Sequence, residues 1–216
     1  MGGKLTFNGG IHPYDGKDLS KDKPIRDILP KGDLVYPLSQ HIGAPAKPVV
    51  KKGDHVLTGQ LIAEAGGFVS APVYATVSGT VKAVSDFRMS NGRTCKCVEI
   101  ETDGLQTVAD TVQPPVISSK EDFLHAIRES GLVGMGGASF PTHVKLAPKQ
   151  TVDTLCINAA ECEPYITSDN RQMVEHPEEV IDGIQQVLHW LNIPHCIIGV
   201  AVSYTHLRAH ETTLHL

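Results

Sequence analysis

The residues best suited to chemistry fall in two stretches. The first is Gly131-Leu132-Val133-Gly134-Met135-Gly136-Gly137-Ala138-Ser139-Phe140-Pro141-Thr142-His143-Val144-Lys145-Leu146. Four glycines in seven residues let a backbone approach a ligand closely and turn its N–H groups inward, and a helix start after them adds a dipole favourable to phosphate. The same composition also suits a tight packing loop. It is not a dinucleotide fingerprint, because Ser139 stands where the third glycine belongs and a helical pattern precedes it where a strand is needed. Nor is it a P-loop, since no Gly-Lys-Ser/Thr ends it. Lys145 follows in a short helix, where it either reaches a phosphate or ring carbonyl as a point charge or is simply solvated. His143 reads as a surface residue or satisfied partner more readily than as a catalyst.

The second stretch is Asn158-Ala159-Ala160-Glu161-Cys162-Glu163-Pro164-Tyr165, directly after an apolar run that reads as a strand. Ligands of open α/β sheets sit beyond the carboxyl ends of strands, which places these side chains toward a crevice. Asn158 offers amide donors and a carbonyl acceptor to a flat heterocycle, and Glu161 and Glu163 accept from ribose hydroxyls or ring N–H groups. Asp169 and Arg171 follow in the same segment and read as local capping and pairing residues.

Other candidates carry less. Cys95, Cys97, Cys156, Cys162 and Cys196 are odd in number and irregularly spaced, so they suggest neither a disulfide framework nor a cysteine-rich metal site and read as fillers. His206 and His210 have helical i,i+4 spacing, but no motif frames them as metal ligands. With Lys plus Arg 19 against Asp plus Glu 24 and no basic block, the chain is not built to neutralise nucleic-acid phosphates. No run reaches the ~18 apolar residues of a membrane span, and the N-terminus has no charged-apolar-small pattern of a signal peptide.

Around these stretches the 216 residues divide by composition. Residues 1–30 are polar and turn-rich, an extended arm expected to drape over a neighbour. Residues 31–101 hold short β-rich runs at Val49-Val50, Val56-Leu57, Leu61-Ile62, Val73–Val77, Thr80–Val84 and Cys97–Ile100, with turns at Gly53-Asp54, Gly66-Gly67, Ser78-Gly79 and Asn91-Gly92. Such short strands need a compact barrel or sandwich to bury enough surface. Residues 102–117, with Pro114-Pro115, read as a linker. From 118 the pattern is α/β. Ser118 and Glu121 have capping-box spacing before a helix with Phe123, Leu124 and Ile127 on its apolar face, stopped at Gly131. Thr154–Asn158 reads as a strand. Pro177 opens a helix with Val180, Ile181, Ile184, Val187, Leu188 and Leu191 inward, and Cys196–Val200 is the next strand. Strand, helix, strand in this order is a parallel α/β unit, here extending to about residue 200. Residues 201–216 fit neither pattern and read as an anomalous tail.

Two resemblances follow from these residues. Val50-Lys51-Lys52-Gly53-Asp54-His55-Val56-Leu57-Thr58-Gly59-Gln60, Ala71-Pro72 and Ser78-Gly79-Thr80-Val81 resemble the barrel-sandwich hybrid of biotinyl and lipoyl domains. Those carriers expose a lysine on a hairpin. The matching stretch here, Glu64-Ala65-Gly66-Gly67-Phe68, has none, so a structural or docking module is expected. The glycine-rich stretch and Asn158–Tyr165 together resemble the flavin-binding fold of the respiratory complex I flavoprotein, and resemble more closely the C subunit of Rnf electron-transport complexes. Phe7-Asn8-Gly9-Gly10-Ile11-His12-Pro13 is similar to the same protein family.

The resemblance implies an α+β multidomain chain, with the hybrid barrel followed by an incomplete Rossmann-like flavin-binding domain over residues 118–200. It implies an NADH-oxidising, FMN-linked subunit lying peripherally on the cytoplasmic face of the membrane, with other subunits of an ion-translocating complex as partners and ferredoxin as an indirect one. Carried over by motif, Gly134, Gly136, Gly137 and Ala138 form the wall against flavin and NADH. Lys145 and Asn158 contact FMN, while Glu161 and Glu163 shape the flavin and nicotinamide region; no proton-transfer catalyst is implied. The family's further [4Fe–4S] ligands have no counterpart here, and the course changes after Val200. A truncated chain, inactive alone, is therefore expected, with a non-enzymatic docking and assembly module as the competing expectation.

Overall fold

Turn chemistry sets where the β-rich half doubles back, and a computed structural model shows the result for residues 13–135 and 139–200. The expectations for residues 1–12, for Gly136, Gly137 and Ala138, and for His206 and the rest of 201–216 lie outside these described residues. The chain divides into two compact units, residues 28–151 and residues 1–27 with 152–216.

The unit of residues 28–151 is built on β1 (Asp33–Pro37), β2 (Lys47–Pro48), β3 (His55–Val56), β4 (Leu61–Glu64), β5 (Val73–Tyr74), β6 (Gly79–Arg88) and β7 (Thr94–Thr102). They form two antiparallel sheets, ordered β1-β7-β6-β3 and β2-β4-β5. Between them lies one core of Tyr36, Leu38, Val56, Ile62, Val77, Val81, Val98, Ile100 and smaller alanines. The barrel-sandwich hybrid expected from sequence is the fold seen. No single strand pair buries this surface alone, so the core exists only when both sheets close on it.

Two expectations are corrected here. The strands are not uniformly short: β6 and β7 run ten and nine residues and pair from Gly79↔Thr102 to Arg88↔Thr94, with a register shift between Val81 and Ala83. Their distal halves alternate charged and small residues, such as Asp86 opposite Lys96, so an apolar count stops early. The sequence reading also omitted β1, a five-residue strand ending in Pro37, which an edge position tolerates. The Sγ atoms of Cys95 and Cys97 lie 3.7 Å apart on β7; burial and then its neighbour push the Cys97 thiol up to about 11, as befits a filler.

Helix α1 (Lys120–Glu129) and the short α2 (Thr142–Lys145) belong to the same unit. The N-cap of α1 is Ser119, whose hydroxyl accepts from Asp122 N at 3.0 Å, so the expected Ser118–Glu121 box is displaced by one residue. Ser118 instead gives its hydroxyl to the Asp122 carboxylate at 2.6 Å. Gly131, at φ 68°, provides the left-handed stop after this helix, and a side chain there would meet Pro72 O at 2.9 Å.

In the second unit, β8 (Thr154–Ala159) and β9 (His195–Val200) pair in parallel from Thr154↔His195 to Ala159↔Val200. Between them run α3 (Ser168–Glu175) and α4 (Pro177–Leu191), so the expected α/β order holds with one helix more. Helix α3 escaped the sequence reading because Met173 and Val174 are its only apolar residues, too few for a stripe. On α4, Ile184 is buried and Ile181 is exposed, so the apolar face is narrower than its spacing implied.

Ile100 makes no contact with solvent and sits on β7, one of the two inner strands of its sheet. Its truncation in Ile100→Ala is expected to cost about 2–5 kcal/mol of unfolding free energy, because the surrounding β-sheets relax only partly. A urea melt followed by circular dichroism measures this; a loss under ~1 kcal/mol would mean that the core re-collapses around the gap.

Candidate functional site

The glycine stretch starts from a closed neck. Val133 and Pro141 form an antiparallel bridge, Gly134 N donates to Phe140 O at 2.9 Å, and Thr142 N donates to Leu132 O at 3.0 Å. Gly134 and Phe140 are thereby held side by side, with Pro141 fully buried next to them. Met135 is 99% exposed and Ser139 holds φ 48°. Gly134 N is committed to the neck. Lys145 ends the short α2 and is exposed.

His143 has a different role from its neighbours. It is buried, its Nε2 donates to Phe68 O at 3.1 Å, and its ring stands edge-on to Phe68. Phe68 is in the turn where biotinyl and lipoyl carriers present their lysine. Here that turn serves as a packing point for α2. Beneath the neck lies an open cavity of about 460 Å³ whose wall includes Tyr36, Pro37, Pro72, Tyr74, Gly131 and Val133. Among the described residues no carboxylate, lysine or arginine lines it.

The second stretch leaves the carboxyl end of β8, as its strand assignment required. Asn158 is exposed; its Oδ1 accepts from Ala160 N at 3.1 Å, and its amide donors are uncommitted among the described residues. Glu163 is exposed, with only the Cys162 thiol on its carboxylate at 3.5 Å among the described residues. Glu161 stands apart from both. It is 5% exposed, and its Oε1 accepts from Asp169 N at 2.9 Å and from Ser168 Oγ at 3.0 Å, so it caps the N-terminus of α3. Arg171 pairs with Glu175 one turn later and donates to Lys21 O, the local role expected of it.

Sequence reasoning passed over three residues that build this loop. Lys17 is 7% exposed and its ammonium donates to Glu163 O at 3.1 Å and Ile166 O at 2.7 Å. Tyr165 adopts φ 66°, uncommon for a bulky side chain, and its ring lies against Gly16, where a Cβ would come within 2.3 Å. Asn170 is buried, and its Oδ1 meets no hydrogen-bond donor among the described residues. The Tyr14-Asp15-Gly16 turn before Lys17 was visible as loop chemistry, but no spacing rule links it to residues some 150 positions away.

Residues 5–105 match the RnfC barrel sandwich hybrid domain, and residues 127–212 match the Nuo51 FMN-binding domain. The C subunit of the proton-translocating ferredoxin:NAD(+) oxidoreductase complex of Clostridium ljungdahlii is 45% identical over 202 residues, covering 90% of this chain. The chain belongs to the RnfC family. The C subunit of the Na(+)-translocating ferredoxin:NAD(+) oxidoreductase complex of Acetobacterium woodii is 42% identical over 202 residues, and that of the ion-translocating oxidoreductase complex of Rhodobacter capsulatus is 39% identical over the same length. These alignments cover 44%, 45% and 39% of the three relatives, so the chain spans less than half the length of each RnfC protein. Among the described residues no helix is long and apolar enough to cross a membrane, and no group of three or more His, Cys, Asp or Glu is placed to hold a metal ion.

The carboxyl of Asp169 is held above its ordinary value, first by burial and then by Glu161 and Glu163, with Lys17 opposing the shift. A carboxyl raised on folding supports the fold while protonated, and that support is lost as pH rises through the raised value. Asp169→Asn is therefore expected to raise the thermal midpoint at neutral pH and to flatten its decline between about pH 4 and pH 7. Thermal melts across that range measure both effects, and a lower midpoint at neutral pH would show that Asp169 is stabilising as a carboxylate.

Proposed function

We propose that this chain is the electron-entry portion of an RnfC protein, binding FMN and oxidising NADH within an ion-translocating oxidoreductase complex. The observation carrying this reading is the state of three motif side chains: Lys145, Asn158 and Glu163 are all exposed on loops or element ends, in a chain matching an FMN-binding family. The residues fit the group in kind. Lys145 supplies a positive charge for a phosphate or a ring carbonyl, Asn158 supplies uncommitted amide donors, and Glu163 supplies a carboxylate for ribose hydroxyls or ring N–H groups. Gly136, Gly137 and Ala138 complete the proposed wall. Glu161 enters the reading indirectly, through the helix it caps.

When bound, FMN supplies the chemistry that accepts two electrons together and releases them singly, while the protein supplies position and electrostatics. The chain's own residues bind and orient; none of the named side chains moves a proton in this scheme. The names of the relatives extend the reading to ferredoxin:NAD(+) oxidoreduction coupled to ion translocation within a complex, and the reading adds a peripheral place beside membrane subunits on the cytoplasmic face. The barrel's part is that of a scaffold, since its carrier-type turn engages α2 through His143.

In the full-length protein, Lys145→Ala is expected to weaken FMN binding by about tenfold, equivalent to ~1.4 kcal/mol. FMN retained after gel filtration, together with a fluorescence titration, measures this. Unchanged stoichiometry and affinity would reject the role of Lys145 and, with it, the observation on which the reading leans.

A further inference from the structure

We infer that Lys17 is a positioning residue that sets both the shape and the charge of the loop carrying Glu163. The segment from Tyr14 to Ile25 and the loop after β8 lie in one compact unit although about 150 residues separate them. Loop residues 163–167 make no helix or strand of their own, so their polar backbone groups need other partners. The segment around Lys17 provides them. Its ammonium takes the carbonyls of Glu163 and Ile166, Ser20 Oγ donates to Tyr165 O at 3.2 Å, and Tyr165 N donates to Asp15 O at 2.5 Å. Thr167 Oγ1 then donates to Ser20 Oγ at 3.0 Å.

Three features point to a function beyond packing. Two carbonyls three residues apart converge on one nitrogen, which fixes the curvature of the turn between them and so the direction in which Glu163 leaves the backbone. Tyr165 is held at φ 66° by contacts on either side, the kind of backbone strain that persists where its surroundings over-determine it. Lys17 is also the amine in a neighbourhood of carboxylates: Asp169 is raised by Glu161 and Glu163, and Lys17 pulls against them. A carboxylate intended to accept from a ligand must stay ionised, and a buried positive charge nearby favours that form. The effect on nucleotide binding rests on the functional reading above, whereas the effect on loop geometry does not.

Two variants separate shape from charge. Lys17→Met keeps an apolar stem of similar length without the ammonium, and Lys17→Arg keeps the charge with a different donor geometry. In the full-length protein, amide hydrogen exchange over residues 163–167 reports the loop, and the pH profile of kcat/KM for NADH reports its charge. K17M is expected to speed exchange at Tyr165 and Thr167 and to raise KM for NADH, each by about tenfold, the scale of losing charge-assisted hydrogen bonds. It also moves the acid limb of the profile to higher pH, because Asp169 then faces Glu161 and Glu163 without the opposing amine. K17R restores the acid limb. A K17M protein with wild-type exchange and KM overturns the inference, as does a K17R protein whose acid limb matches that of K17M. If K17M fails to accumulate, K17R carries the test: an acid limb displaced from wild type overturns the role of the charge. If Lys145→Ala and Glu163→Gln leave FMN and NADH binding untouched, the functional reading fails, while exchange at 163–167 still decides the positioning role.

Discussion

A turn without secondary structure must still satisfy its carbonyls, and in the loop after β8 one ammonium takes two of them. Lys17 donates to the carbonyls of Glu163 and Ile166, Ser20 donates to that of Tyr165, and Asp15 O accepts from Tyr165 N. Each neutral bond contributes on the order of 1 kcal/mol net, but leaving the partly buried groups unmade costs more. The loop's conformation is thus inseparable from the segment that precedes the barrel in sequence. Gly16 is part of the same constraint, since the ring of Tyr165 occupies the space a side chain would need. Glu161 works from the other end: by capping α3 it fixes where the loop stops and the helix starts.

The barrel solves its own problem by closure. Its strands β2, β3 and β5 have two residues each, too few to hold register through backbone pairing alone. Register comes instead from the apolar alternation that brings Val56, Val81, Val98 and Ile100 to one interior. Buried polar groups are met locally. Tyr36 shares its hydroxyl with Thr76 at 2.8 Å, and His41 Nε2 accepts from Ala71 N at 3.1 Å, which places its proton on Nδ1 toward Ile42 O. With the core satisfied this way, the turn at Phe68 is free to receive His143, so a surface that carriers devote to chemistry becomes architecture.

Much of this was legible in the sequence, and the remainder was not for identifiable reasons. Elements marked by apolar periodicity and turn residues, such as α1, α4, β8 and β9, were foreseen close to their observed bounds. Helix α3 was missed because it carries no apolar stripe, while the acid that caps it, Glu161, lies seven residues before its start. Its cap was visible only as one acid of a candidate ligand pair. Lys17 was missed for a deeper reason: a lysine in a polar turn carries no mark of burial, and only the folded chain brings it to Glu163 and Ile166. The motif residues came through unevenly. Lys145, Asn158 and Glu163 are exposed, Glu161 is committed to a helix, and Gly134 is committed to a neck.

That uneven outcome divides the proposed labour by charge. A phosphate placed beside Glu163 and Asp169 would meet two acids whose nearby amine, Lys17, is already engaged with backbone carbonyls. Like charges at short range are unfavourable even with solvent screening. In the proposed reading the anionic end of a nucleotide or flavin therefore does not belong beside this loop. The hydroxyl and ring N–H groups belong with Asn158 and Glu163. The acidity of the second loop is then a source of selectivity, because it admits the donor-rich face of the ligand and turns the phosphate away.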